Sequence, residues 1–225
     1  VQRTRPYVTG RVFWGALTMR LTRDVTDGPA TDSKQYEIYG NQVNDRLAYT
    51  YFYPAIKSNG DYLIEWFWKN ESLFRRRFLS SYNSTALVYP QQAADEGLLH
   101  EVEFISPRTL DKGEQVYLVG YVFEKDGCNL NWKDACQKLQ MGGERGYGWG
   151  MVERVEVKSL ENQNLFNGQV VSIESEDRVI IQAEQVLAHT SSTNLVATGE
   201  IEPLVGREWR SNESTNRYAG QYVSF

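Results

Sequence analysis

Five glycines fall within the nine residues 142–150, which read Gly142-Gly143-Glu144-Arg145-Gly146-Tyr147-Gly148-Trp149-Gly150. No other stretch limits the backbone as strongly. Glycine weakens both helices and strands, so a regular element cannot run through this segment, and the chain must place a loop here. Without a Cβ, such a loop reaches positive φ and can bring its N–H groups close to a phosphate. Arg145 can fork onto phosphate oxygens, and Tyr147 or Trp149 can stack on a base. The segment is therefore equipped to hold a polyanion backbone, with Gly142, Gly143, Gly146 and Gly148 as the bare surface.

Bulk charge does not support that role, since the 225 residues carry a net charge of −5. A free-standing nucleic-acid binder working by overall attraction would be basic, so any contact has to be local. The cations are unevenly placed: Arg3, Arg5, Arg11, Arg20 and Arg23 face one carboxylate, Asp24, within residues 1–25, and Arg75-Arg76-Arg77 form a second island. An acidic chain with basic islands fits a subunit of a larger assembly. No apolar run approaches the roughly 18 residues of a membrane span, and no secretory leader opens the chain, so a cytoplasmic protein without membrane contact is expected. Cys128 and Cys136 lack the paired spacing of a zinc site and read as free thiols. The Asn-x-Ser/Thr matches at Asn70, Asn83 and Asn212 read as chance.

Apolar residues at Val12, Phe13, Ala16, Leu17, Met19 and Leu21 predict a helix over 12–23 that carries Gly15 inside it and sends Arg20 to a different face from the apolar stripe. Residues 27–59, rich in tyrosine, show no helical period and predict β and loop structure. The runs 62–68 and 73–79 predict a hairpin whose second strand puts Arg75 and Arg77 on one face and Arg76 on the other. Alternation over 99–105 and 116–123 predicts an antiparallel pair, followed by a short helix over 131–139 capped by Asn129 or Asn131. Residues 151–158 and 178–188 predict further strands. The order fits an α+β, ferredoxin-like (RRM-like) core over 1–158 with an insertion at about 27–97 and a β/loop extension over 159–225 packed on it.

Two segments in this order resemble the RAMP superfamily of CRISPR-associated proteins. One is Tyr7-Val8-Thr9-Gly10-Arg11-Val12-Phe13-Trp14-Gly15-Ala16-Leu17 with Arg20 behind it, similar to the family's extended segment leading into a first helix that starts Gly-Ala-Leu. The other is the glycine loop, between a short helix and a strand. Glu101-Val102-Glu103-Phe104-Ile105-Ser106-Pro107 leading into 116–123 resembles the family's strand, turn and strand before the second helix. The resemblance implies a subunit, backbone-like or cap-like, of a type III RNA-guided effector in antiviral defence. Its partners would be CRISPR guide RNA, target RNA and other effector subunits of similar fold.

On that reading the RNA-binding set is Gly142, Gly143, Arg145, Gly146, Tyr147 and Gly148, with Arg3, Arg5, Arg11 and Arg20 along the groove. No cofactor is expected, apart from a divalent metal such as Mg if the chain cuts RNA. Backbone members of the family cut with an aspartate after the first strand, a position upstream of Tyr7, and Asp24, Asp27 and Asp32 do not occupy it. His100 and His189 sit in no matching motif. Nucleotide hydrolase, zinc protease and serine hydrolase motifs are absent from the sequence. Fourteen tyrosines and six tryptophans also admit a β-rich protein- or carbohydrate-binding module.

Overall fold

A computed structural model describes residues 3–88, 93–94, 98–160, 164–166, 169–175, 178–182, 198, 206–211 and 218–224. The helices are α1 (Gly10–Thr26), α2 (Ser33–Arg46), α3 (Glu71–Phe78) and α4 (Trp132–Ala135). The strands of the first half are β1 (Leu47–Tyr49), β2 (Tyr53–Ser58), β3 (Asp61–Ile64), β4 (Leu79–Ser84), β5 (Leu87–Val88), β6 (Ala93–Ala94), β7 (His100–Ile105) and β8 (Val116–Val119). Those that follow are β9 (Val122–Glu124), β10 (Lys138–Gln140), β11 (Met151–Glu153), β12 (Asn164–Leu165), β13 (Gln169–Ser175), β14 (Arg178–Gln182), β15 (Gly206–Ser211) and β16 (Tyr218–Ser224). Every strand pair described is antiparallel, which makes the protein α+β. The chain divides into two compact units, Val1–Val8 with Tyr51–Tyr121, and Thr9–Thr50 with Val122–Phe225.

In the first unit β2 is the middle strand of the sheet β3-β2-β8, and its Tyr53, Pro54 and Ala55 are buried. Phe74, Phe78 and Leu79 form a core against which Ile56, Phe67, Ile105 and Val116 pack. Residues 73–79, expected as a strand, are mostly helix α3. The residues 69–72 read as a turn contain a helix cap: Asn70 Oδ1 accepts from Leu73 N at 3.0 Å. Glu71 pairs with Arg75 one turn on, and Phe74 stacks on Phe78 at 4.8 Å, both i,i+4 contacts that a strand could not make.

The arginine triplet therefore does not alternate between sheet faces. Arg75 reaches Glu71 and Glu103, Arg76 is exposed, and Arg77 pairs with Glu65, Asp111 and Glu114 at 2.9, 3.1 and 2.7 Å. Arg77, 17% exposed, joins α3 to residues on either side of it in the chain. Replacing it with Met is expected to destabilise the protein by about 1–3 kcal/mol, less than a fully buried pair because the carboxylates remain solvent-screened.

Acid acts on the same cluster. Burial raises the Asp111 carboxyl, but the Thr109 hydroxyl, the Arg77 guanidinium and the Lys112 N–H outweigh it, so its pKa is held below the ordinary 3.8. A lowered folded pKa gives stability that is present above 3.8 and lost as pH falls through the folded value. Urea melts across that range should show a shallower acid loss for Arg77→Met than for the parent. Parallel acid profiles would refute the role.

The strands β7 and β8, expected to pair with each other, pair instead with β4 and β2. Residues 106–110 are held back on α3, Ser106 N donating to Phe78 O and Leu110 N to Arg77 O, which separates the two strands. The run 116–123 also breaks at Gly120, where a Cβ would stand 2.6 Å from the Phe52 ring. Its first part joins β2 in this unit, and its second, β9, pairs with β1 in the other.

In the second unit α1 follows the predicted helix closely, with Thr9 as N-cap and Phe13, Ala16, Leu17 and Leu21 buried. Arg20 lies off that stripe and pairs with Asp24 at 2.6 Å. Residues 27–59 were expected to lack a helix, yet α2 occupies 14 of them. Asp32 caps it by accepting from Lys34 N, and Gly40 lets the Trp14 indole of α1 come close, Trp14 Nε1 donating to Gly40 O at 2.9 Å. A face built on Gly40 and Val43 carries too little hydrophobicity to show a period. Helix α4 starts after Asn131, whose side chain makes no capping hydrogen bond. The strand expected over 151–158 stops at Glu153, and β14 covers the start of 178–188, the rest of which lies outside the described residues.

Candidate nucleic-acid interface

The glycine segment closes the hairpin formed by β10 and β11. Leu139, buried, pairs with Val152, Gln140 pairs with Met151, and Met141 N donates to Gly150 O at 2.9 Å. Beyond this base, residues 145–147 make one 3₁₀ turn, with Tyr147 N donating to Glu144 O and Gly148 N to Arg145 O. Gln140 fixes the loop from beneath. Its Nε2 donates to Arg145 O at 2.7 Å and to Trp149 O at 3.1 Å. Nothing in the sequence singled out Gln140, because its role depends on two carbonyls that only the folded loop presents.

The five glycines have different reasons to be glycine. At Gly150 a Cβ would lie 1.8 Å from Met141 O, so the hairpin base itself requires it. Gly142 and Gly148 have φ of +87° and +85°, the left-handed region that favours glycine. Gly143 and Gly146 have neither reason: their φ is not positive, and an added Cβ would meet nothing within 4 Å. The fold tolerates a side chain at these two positions. Their bareness faces outward.

Arg145 Nη1 lies 3.5 Å from Met19 Sδ, which sets the loop beside α1. On that helix Arg11, Gly15, Met19 and Arg23 form one i,i+4 row about 18 Å long, with a cation at each end. Gly15 repeats the pattern of the loop: a helical glycine costs up to about 1 kcal/mol against Ala, and no neighbour within 4 Å requires it. Tyr147, 83% exposed, projects from the turn, and Trp149 is half-buried. The second unit thus gathers Arg145, Tyr147 and the bare backbone next to a row that contains Arg11, and adds Arg23. Arg20, paired with Asp24, lies one residue off the row. Arg3 and Arg5 belong to the first unit, where Thr4 N donates to Glu103 between them.

Two of the aspartates near α1 have structural partners, Asp24 pairing with Arg20 and Asp32 capping α2, while Asp27 ends α1 through its backbone, its N–H donating to Arg23 O. His100 opens β7 with Nδ1 3.2 Å from Leu98 O, and His189 lies outside the described residues. Cys128 and Cys136 are free, and burial pushes the Cys136 thiol up to about 12, which keeps it protonated. Among the described residues no group of His, Cys, Asp and Glu is placed to hold a metal ion, and no helix is long and apolar enough to cross a membrane. No family model matches the chain, and comparisons with curated proteins and with solved structures give no match.

Proposed function

We propose that this protein is a CRISPR RNA-binding subunit of a multi-subunit type III RNA-guided effector, acting in antiviral defence in the cytoplasm alongside subunits of similar fold, and that its core is of ferredoxin-like (RRM-like) type. The observation that carries the proposal is the pair Gly143 and Gly146, whose missing side chains serve neither backbone geometry nor internal packing. An exposed loop kept bare without internal need suits close approach by another backbone. Arg145 beside it supplies a charge-assisted contact to phosphate, Tyr147 supplies an exposed stacking surface, and the row from Arg11 to Arg23 continues the cationic track along α1. Because these contacts are local, they work on a chain whose net charge is −5. Target RNA reaches the site through pairing with the guide, so the protein reads backbone and shape rather than sequence.

Arg145→Ala is expected to weaken binding of a single-stranded guide-length RNA by on the order of 1–3 kcal/mol, the scale of a hydrogen bond to a charged group. Fluorescence anisotropy at moderate salt measures it. Equal affinity for parent and variant, with the melting curve unchanged, would refute the assignment of the loop.

A further inference from the structure

Both donors of the Gln140 amide are used by the glycine loop. Nε2 carries two hydrogens, and it donates to Arg145 O at 2.7 Å and to Trp149 O at 3.1 Å. Turned the other way, the amide would set Oε1 against two carbonyl oxygens, so these partners fix which atom is the nitrogen. Gln140 itself belongs to β10, opposite Met151 of β11, and so stands on the hairpin and not in the turn. The backbone bonds of the loop stay at one end or the other. Met141 N to Gly150 O closes the base, while Tyr147 N to Glu144 O and Gly148 N to Arg145 O lie within the turn. The two bonds from Gln140 span from the hairpin to the turn.

That span matters because the turn hangs on glycine. Gly142 and Gly143 precede it and Gly148 follows it, and a glycine backbone rotates more freely than any other. Untied, the turn swings about these residues and its internal bonds fray. Tied, it presents one surface. A peptide unit is planar and trans, so the N–H of Gly146 points opposite to the carbonyl of Arg145. By holding that carbonyl, Gln140 turns this N–H away from itself. The same grip sets the backbone of Arg145, whose guanidinium reaches Met19 Sδ at 3.5 Å, two residues before the exposed Tyr147. We propose that Gln140 is a positioning residue that preorganises the loop for RNA. It holds Arg145 and the bare backbone in place before the ligand arrives, so that binding does not have to order them. The proposal rests on the RNA-binding reading of the loop and adds to it a residue that acts through Arg145.

The test is a double-mutant cycle on the full chain, read by fluorescence anisotropy with a single-stranded RNA of guide length at moderate salt. Gln140→Leu keeps the bulk of the side chain and removes both donors. It is expected to weaken binding roughly tenfold in the parent and no more than about threefold alongside Arg145→Ala, because a residue that acts through Arg145 has little left to lose without it. Gln140→Glu, which keeps the shape but sets a carboxylate against two carbonyls, is expected to weaken binding at least as much as Gln140→Leu. Amide hydrogen exchange on the RNA-free protein supplies a readout that does not involve RNA. Gln140→Leu is expected to speed exchange at Tyr147 and Gly148 while Met141, at the hairpin base, stays as protected as in the parent. If the parent binds RNA and Gln140→Leu changes nothing, or costs the same with and without Arg145, the positioning role is overturned and the RNA reading stands. Loss of protection at Met141 overturns it too, since the hairpin has then opened and the turn has not merely been untied. A parent that binds no RNA overturns both.

Discussion

Gly150→Ala is expected to lower the stability of the protein by about 2–5 kcal/mol, combining about 1–2 for a side chain in the left-handed region with about 1–3 for overpacking. The added methyl would stand 1.8 Å from Met141 O, a backbone atom that cannot rotate away, at a residue with φ of +77°. Relief requires opening the hairpin base and breaking the bond from Met141 N to Gly150 O. The strain then passes to β10, whose Leu139 is buried in the unit that also buries Trp132 and Ala135 of α4. Urea denaturation measures the effect, with Gly148→Ala as the comparison because that site has positive φ but open space around it. The Gly148 variant is expected to lose only the conformational part. Two variants of equal stability would show that the short approach to Met141 is not what the hairpin depends on.

Gly146→Val is expected to do the reverse: stability within about 0.5 kcal/mol of the parent, as for ordinary surface changes, and RNA affinity at least tenfold weaker, or about 1.4 kcal/mol. The backbone has no positive φ there and a Cβ would find no neighbour within 4 Å, so the fold has room for a side chain that points at whatever approaches from outside. A β-branched group at the turn holds another backbone away from the N–H groups and from Arg145, which no rearrangement of Arg145 alone restores. The readout is anisotropy with a single-stranded RNA at moderate salt, set beside a melting curve. Unchanged affinity for both Gly146→Val and Gly143→Val would mean that the bare loop is no ligand surface. The opposed behaviour of residues 146 and 150, four apart in one loop, is what the geometry demands.

Local signals foretold the elements that local signals control. The stripe from Phe13 to Leu21 marked α1, alternation marked β7, and the glycine density marked the loop, because each is set by side-chain spacing or backbone freedom within a few residues. The misread elements depend on contacts from elsewhere in the chain. Helix α2 takes its place from Trp14 lying against Gly40, 26 residues away. In α3 the aromatic and arginine residues suit either a strand or a helix, and the Asn70 cap with the Phe74–Phe78 stack decides for the helix. Strand partners were the least legible, since β4 with β7 and β2 with β8 are long-range choices that alternation alone does not specify.

The candidate site divides in the same way. That residues 142–150 form a bare loop with one arginine and two aromatics follows from composition, because glycine permits backbone conformations and approaches that other residues forbid. Which glycines serve the fold and which face outward was settled only when Met141 O came to lie beside Gly150 while the space around Gly143 and Gly146 stayed open. The seating of Arg145 beside Met19, 126 residues earlier, and the grip of Gln140 on two loop carbonyls likewise belong to the folded chain. Side-chain chemistry is written residue by residue, whereas a contact exists only once burial of a shared core has brought distant segments together.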